Sequence, residues 1–570
     1  MKKLIVSLMT LLMTCCVMAV PQPKKKLIHF GWNEPKKIED FQNRSLEELS
    51  ENAPFDGIGL RMPLNLVRDG KKITYFLGRP PKSGLIRLEK DDFKEWIPAL
   101  RRLQQTRLKH NFFDFSTVLF SPDWFDDNAW SLTMNNITML AWLAKQSQFV
   151  GLAMDIEPYS FSGYPLMFHP ELGHSFEETA AQVRRRAKQL FEAVAAEFPN
   201  LILHCCFWGS MCINEESGRH PEGQNYGETG LKVAFINGIY DGAPLTMRIL
   251  DGVETQGYRA SGEAAYQREM ADFHRFAAGW IAPENMDKYR RITELSFPLY
   301  LDSYIPRETT GSWRLFATTD NPARLLFENM WFSLKYSDEY AWLWAEKGTF
   351  WPKINEGKDR LFWNDRLAFV TDALAAATDI NSVARHFQGK NLARNSGFEV
   401  GKETPATVDD AVPTTFPEWG FWQQENHTLG KGTVSADNGG VRFKAVANSA
   451  IAQAHTKFKP GSFYLLTARA RLDSPTQTAN INYFYRDKNG EGLWALRRNA
   501  YFDIDDGDGW KRAMIVFNIP TDIEISSLSI CISVNGLGNK TPADDPGTLF
   551  DDFELYEINF PWEMAAQSQK

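Results

Sequence analysis

Two observations predict an α/β chain in which a (β/α)8 barrel is followed by an antiparallel β-sandwich. Over residues 26–388, eight short apolar runs alternate with amphipathic helical stretches. Near-continuous apolar strands, each followed by a helix, imply a parallel sheet covered on both faces, and eight such units are the count of a TIM barrel. Over residues 391–560 the helical periodicity stops, and short alternating runs separated by Gly, Asp, Asn and Pro turns take its place.

The expected barrel strands are Leu27–Trp32, Phe55–Met62, Asn111–Thr117, Phe149–Ile156, Leu201–Trp208, Arg248–Gln256, Phe297–Ile305 and Tyr340–Ala345. The helical stretches between them include Asp91–Leu108, Asn128–Lys145, Phe176–Phe198, Ala264–Trp280, Asn321–Tyr336 and Phe362–Phe387. Ser45-Leu46-Glu47-Glu48 reads as a capping box before a short helix. The competing fold, a doubly wound open sheet, would carry a glycine-rich phosphate loop after its first strand, and Gly31-Trp32-Asn33-Glu34 is not one. In the second region the strands are Gly440–Ala445, Phe463–Leu472, Ile481–Arg486, Arg512–Phe517, Ser526–Val534 and Thr548–Ile558, with turns such as Asp487-Lys488-Asn489-Gly490.

The 570 residues carry 63 Lys and Arg against 71 Asp and Glu, a formal charge of −8 that argues against a nucleic-acid partner. Lys2 and Lys3, the apolar run Leu4–Met13 and Val17-Met18-Ala19 have the layout of a secretory signal peptide over residues 1–19, which predicts a secreted or periplasmic protein; lipidation at Cys15 is the less favoured alternative. No later segment has the ~18 uninterrupted apolar residues of a membrane span. Six cysteines exclude a disulfide scaffold, although export leaves a bridge from Cys205 or Cys206 to Cys212 open beside free thiols there and at Cys531. With 40 Phe, 18 Trp and 17 Tyr, the chain is rich in aromatic residues, as core or as a surface for flat ligands.

Barrel sites form where strands end. There the sequence places Trp32 and Glu34, Arg61, Asp114, Asp155 and Glu157, Trp208, Glu254 and Tyr258, Asp302 and Tyr304, and Trp344 and Glu346. Carboxylates and aromatic rings in one ring of positions suit glycosidic bond hydrolysis, where one carboxylic acid protonates the leaving oxygen and rings stack on sugars. Asp155 and Glu157 are two apart and share a strand face, so an ionised Asp155 would keep Glu157 protonated. Glu254 is the expected further catalytic carboxylate, while Trp32, Arg61, Trp208, Tyr258, Asp302, Tyr304, Trp344 and Glu346 are the expected substrate contacts. His110, His174 and His204 lack metal-ligand spacing, and there is no Gly-x-Ser-x-Gly elbow, so the chemistry is expected to need no cofactor.

Gly151-Leu152-Ala153-Met154-Asp155-Ile156-Glu157-Pro158 resembles the fourth-strand Asp-x-Glu of chitinase-like family 18 glycoside hydrolases. The resemblance implies that Glu157 is the acid and Asp155 its assistant; the two earlier Asp positions of that pattern are Ala153 and Val150 here. Glu157-Pro158 is also similar to the strand-4 acid/base of the broad clan of retaining glycosidases, with Ile156 where that clan has Asn. Asn391-Leu392-Ala393-Arg394-Asn395-Ser396-Gly397-Phe398-Glu399 and Gly547-Thr548-Leu549-Phe550-Asp551-Asp552-Phe553-Glu554-Leu555 resemble the opening and closing motifs of jelly-roll carbohydrate-binding modules. That resemblance implies a structural calcium held by Glu399 and Asp551, with Trp419, Phe421 and Trp422 as stacking or core residues. The expected function is thus a secreted glycoside hydrolase acting on a poly- or oligosaccharide. The alternatives are a non-catalytic glycan-binding protein on the same scaffold and a lyase built on Tyr159 or Tyr258.

Overall fold

The structure, a computed structural model, describes residues 25–562 except 43–45, 48–52, 69, 77–85, 117–119, 158–163, 215–229, 307–314, 317, 352–360, 380–387, 401–411, 414–415, 424–431, 522, 539–540 and 543. The signal peptide, Cys15, Tyr159, and Ser45 and Glu48 of the capping box therefore lie outside the described residues. The chain divides into two compact units, with the boundary between Thr378 and Asp379, where the sequence reading placed it after residue 388.

The first unit is built on a curled, parallel sheet of nine strand segments. These are β1 (Lys26–Gly31), β2 (Gly57–Leu60), β5 (Phe112–Ser116), β6 (Gly151–Asp155), β7 (Ile202–Cys205), β8 (Arg248–Asp251), β9 (Thr293–Leu295), β10 (Pro298–Tyr300) and β11 (Tyr340–Ala345), paired in the order β10-β11-β1-β2-β5-β6-β7-β8-β9. A hairpin of β3 (Pro63–Arg68) and β4 (Lys71–Phe76) was not foreseen, although Asp69-Gly70 between two alternating runs was its signal; Gly70 has φ 72°.

The expected seventh strand, Phe297–Ile305, is a correction. It is replaced by β9 and β10, separated by Ser296 and Phe297, and then by a 3-10 turn, Leu301–Tyr304. Pro298 has no N–H to give to a neighbouring strand. At the interruption the Ser296 amide donates to the Asp251 carbonyl at 2.9 Å on one side, and the Trp342 amide donates to the Phe297 carbonyl at 3.1 Å on the other. The sixth strand is also shorter than expected: β8 stops at Asp251, and Glu254 opens a short helix, Glu254–Arg259.

Caps written in the sequence start the outer helices. The Asp126 carboxylate accepts the amides of Asn128 and Ala129 before the helix Asp127–Gln146, and Ser175 and Glu178 form a reciprocal capping box for Phe176–Glu197. Asn321 caps Pro322–Tyr336, whose proline sits in the first turn. Inside the curl, inward residues of successive strands (Ile28, Phe30, Phe112, Ala153, Leu250 and Trp342 among them) close one apolar cluster. His204 lies within it, stacked on Phe30 at 5.0 Å, and burial lowers its pKa to about 3, so the ring stays neutral. Gly31 is required where β1 passes β11: a Cβ there would meet the Ala345 carbonyl oxygen at 2.1 Å.

In the second unit, two antiparallel sheets enclose one core. One sheet contains β12 (Gln388–Asn391), β15 (Thr433–Asp437), β16 (Gly440–Lys444), β18 (Phe463–Arg471), β21 (Ile504–Asp505), β22 (Lys511–Asn518) and β24 (Thr548–Ile558). The other contains β13 (Val412–Pro413), β14 (Gly420–Gln423), β17 (Ser449–His455), β19 (Thr478–Asp487), β20 (Arg498–Tyr501) and β23 (Ile525–Asn535). Alternate residues of both, such as Phe443, Leu466 and Phe550 against Ile451, Ile481 and Ile532, face inward and pack together. The six expected strands are present. Most of those missed are short or lie at a sheet edge, whereas β17, an interior strand of seven residues (SAIAQAH), was hidden by its small and polar letters.

Candidate functional site

At the carboxyl ends of the parallel strands lies a cavity of about 240 Å3. Phe30, Trp32, Trp344, Tyr258 and Tyr300 supply its rings; Asp114, Asp155, Glu157, Glu254 and Glu346 supply its carboxyl groups; Arg61 and Cys206 complete the polar wall.

Local structure explains how each group reaches it. Asp114 and Asp155 lie in β5 and β6, and the chain turns just beyond β6, where the Glu157 amide donates to Asp155 Oδ1 at 2.9 Å. The pair therefore shares the cavity through this turn rather than through one continuous strand. Asp251, fully buried at the end of β8, accepts the Ser210 amide and hydroxyl and the Val253 amide. Val253 has φ 42°, and the next residue, Glu254, begins its helix with its amide on the Cys206 carbonyl at 3.2 Å. Gly252 allows this passage, since a Cβ there would meet the carbonyl oxygens of Cys205 and Cys206 at 2.6 and 2.8 Å.

The electrostatics are uneven. Arg61 donates through Nε and Nη2 to Asp114 Oδ2 at 2.9 and 2.7 Å, lies 3.8 Å from Asp155 Oδ2, and sits 5.5 Å from the centre of the Trp32 ring. Burial raises the Asp114 pKa to about 6, against the pull of Arg61. Burial, then the neighbouring charges of Glu157 and Asp155, push Glu254 well above the usual carboxylate range, although a hydrogen bond with Tyr258 opposes them. Burial, then Glu254, holds Tyr258 in its phenol form, and burial with the same carboxylates keeps Cys206 a thiol. Trp344 Nε1 donates to Glu346 Oε1 at 2.8 Å, and the Trp344 and Trp32 rings meet edge to face at 5.8 Å. Behind the wall, buried Glu34 is raised to about 8 by burial, and its Oε1 lies 3.4 Å from Nδ1 of His29.

Of the expected residues, Trp32, Arg61, Asp155, Glu157, Glu254, Tyr258, Trp344 and Glu346 line this cavity, as does Asp114. Trp208, Asp302 and Tyr304 do not. Trp208 is fully buried with Nε1 on the Tyr240 hydroxyl at 3.0 Å, and Tyr304 is buried against Asn329. Asp302 is turned inward by the 3-10 segment, where its carboxylate accepts the amides of Glu346 and Lys347 at 2.8 and 3.0 Å. It thus holds the residue that reaches the cavity. Phe30, Cys206 and Tyr300 were missed. Phe30 and Tyr300 look like core letters, and Cys206 differs from its neighbour Cys205 only by lying one step past the strand. Cys205, Cys206, Cys212 and Cys531 are all free. A larger, more open groove of about 700 Å3 runs along the helices Asp127–Gln146 and Phe176–Glu197; of its two arginines, Arg87 and Arg186, the second pairs with Asp127.

In the second unit Trp419 is fully buried, its ring 5.1 Å from those of Phe398 and Phe553, and so belongs to the core. Phe421 packs against that core, whereas Trp422 is half-exposed. Asp551 is engaged on both oxygens: Arg469 Nη2 reaches Oδ2 at 2.7 Å, and the Asp552 amide reaches Oδ1 at 2.8 Å. Glu399 is exposed, and among the described residues no three His, Cys, Asp or Glu groups converge on a metal position.

No family model matches the chain, and no curated protein matches it in sequence. Similar solved structures include a candidate alpha-L-fucosidase from Bacteroides thetaiotaomicron (9% identity, 94% of this chain and 96% of that one, TM-score 0.35). They also include the CBM22-1 xylan-binding domain of Paenibacillus barcinonensis Xyn10C (12% identity, 30% and 97%, TM-score 0.19) and the enzymatically active domain of tailspike protein 4 from bacteriophage CBA120 (15% identity, 25% and 20%, TM-score 0.19).

Proposed function

We propose that the chain is an exported glycoside hydrolase whose acid/base pair is Glu157 and Glu254. In this reading β9 and β10 are the two halves of the seventh strand of a (β/α)8 barrel, and the second unit is a jelly-roll module that binds carbohydrate. The observation that carries the proposal is the pairing of unlike carboxyl groups in one aromatic-walled cavity. Glu254 is held protonated by burial and by the charges of Glu157 and Asp155. A resting acid beside an ionisable carboxylate is what glycosidic cleavage requires: Glu254 gives its proton to the leaving oxygen, and Glu157 acts at the anomeric carbon. Asp155 fixes the Glu157 backbone and supplies part of the field that keeps the proton on Glu254. This reading puts the resting proton on Glu254, which burial and its neighbours raise, where the strand-4 pattern put it on Glu157.

The test is hydrolysis of a glycan panel by the mature protein, with Glu157→Gln and Glu254→Gln as controls. Each variant is expected to lose ~10²–10⁴-fold in rate with an unchanged fold, and Glu254→Gln is expected to lose far less on aryl glycosides, whose leaving groups need no proton. Near-normal turnover by either variant overturns the pair. Glycan binding without hydrolysis by the native protein leaves the capture reading in place of the enzyme.

A further inference from the structure

We propose that the cavity selects by charge, taking a sugar residue that is neutral or bears an amine and excluding one that bears a carboxylate or sulfate. The inference deepens the proposed function and rests on it. Among the described residues the wall holds five carboxyl groups, Asp114, Asp155, Glu157, Glu254 and Glu346, against one cation, Arg61. An anionic sugar substituent is normally gripped by the planar fork of an arginine. Here that fork is already committed: Nε and Nη2 of Arg61 both lie on Asp114 Oδ2, Asp155 Oδ2 is 3.8 Å from Nη2, and the guanidinium sits over Trp32. An anion entering the cavity would have to displace Asp114, leaving that carboxylate buried beside Asp155 without its cation, and would itself face Glu157 and Glu346. Even with the resting proton on Glu254, the remaining carboxylates outnumber Arg61.

A neutral sugar meets no such opposition. Its hydroxyls are donors, and each carboxylate oxygen accepts. The half-buried rings of Trp32 and Trp344, edge to face at 5.8 Å, offer the apolar surface on which a pyranose face packs. An ammonium substituent gains further from the surplus of negative charge, which also draws cations toward the cleft from solution.

The experiment measures kcat/KM of the full chain on matched 4-nitrophenyl glycosides: glucoside, glucosaminide and glucuronide, and galactoside, galactosaminide and galacturonide, as both anomers. Within each set the neutral or amino member is expected to exceed the uronide by about 100-fold or more, since like charges brought together at a binding site are strongly disfavoured. The gap is expected to narrow in Glu346→Gln. A uronide cleaved as fast as its neutral partner, or a gap unaltered in that variant, overturns the proposal. If no glycoside is cleaved, the hydrolase reading fails and the charge selection is read from binding, by quenching of tryptophan fluorescence with glucose, glucosamine or glucuronate. Binding of glucose or glucosamine in preference to glucuronate supports it; equal or stronger binding of glucuronate, or no binding of any, overturns it.

Discussion

The cavity of the first unit and the sheets of the second handle their carboxylates in opposite ways. In the second unit acidic groups are matched with donors: Asp551 and Asp552 with Arg469, Asp506 with Arg512, and Asp437 and Asp473 with Arg442. Burial works against Asp545, but the Gly547 amide and the Ser474 and Thr476 hydroxyls outweigh it and hold this carboxyl below its ordinary value. In the cavity the balance is reversed, with Glu254 and Asp114 raised by burial and by neighbouring anions that a single arginine does not offset. Matched carboxylates serve the fold. Carboxylates crowded in a cavity cost stability, and such a cost persists where function requires it.

The largest effect that would break this comparison is kinetic. Glu157→Gln is expected to lower hydrolysis by ~10²–10⁴-fold while the melting temperature holds or rises, because a crowded charge is removed. Arg469→Ala is expected to do the converse, sparing hydrolysis while costing about 1–3 kcal/mol, since it strips a part-buried carboxylate of its charged donor. A marked fall in melting temperature for Glu157→Gln would show that its charge serves the fold after all.

Next in size is the pH dependence of stability. Glu34 binds its proton more tightly folded (to about 8) than unfolded, so stability from this group grows as pH falls from 8, by at most about 1.4 kcal/mol per pH unit. His29 and His204, both lowered by burial to about 3, have the opposite sign: below about 6.5 the unfolded chain takes up protons that the folded chain refuses. Melting temperature is therefore expected to rise between pH 8 and 6.5 and to stop rising below that. Glu34→Gln should lower the slope of the upper branch, the remainder belonging to Glu254, which is also raised in the folded chain; an unchanged slope would overturn the assignment to Glu34.

A comparable or smaller effect comes from Asp302→Ala. It leaves the Glu346 and Lys347 amides without their acceptor and is expected to cost ~1–3 kcal/mol, with Asp302→Asn recovering part of it, as read by thermal denaturation. The smallest effect is at Asp551. With both oxygens engaged, millimolar Ca2+ is expected to leave the melting temperature unchanged, and a rise of several degrees would show that Asp551 exchanges Arg469 for a metal.

Much of this was legible in the letters. Strands read from apolar runs and helices read from amphipathic stretches such as Phe176–Phe198 are local decisions, made by side chains a few residues apart. The cavity's Asp155, Glu157, Glu254 and Trp344 followed from one rule, that polar residues at the ends of parallel strands meet. The rule misled where the chain left the strand geometry early. Pro298 broke the seventh strand and the 3-10 turn carried Asp302 and Tyr304 inward, whereas Trp208 lies beyond the early end of β7 and is drawn into the core against Tyr240.

The amino-acid sequence by itself determined the alternation of elements, the change of character near residue 390, and the residue types available for chemistry, because periodicity, capping and turn formation are short-range. Only the tertiary structure decided which side chains share the cavity and what charge each carries. Facing depends on where each strand stops to within one residue, as Cys205 and Cys206 show, and a pKa depends on burial and on charges brought from distant parts of the chain. Glu254 is held well above the usual carboxylate range first by burial and then by Glu157 and Asp155, groups that the fold brings together from distant parts of the chain.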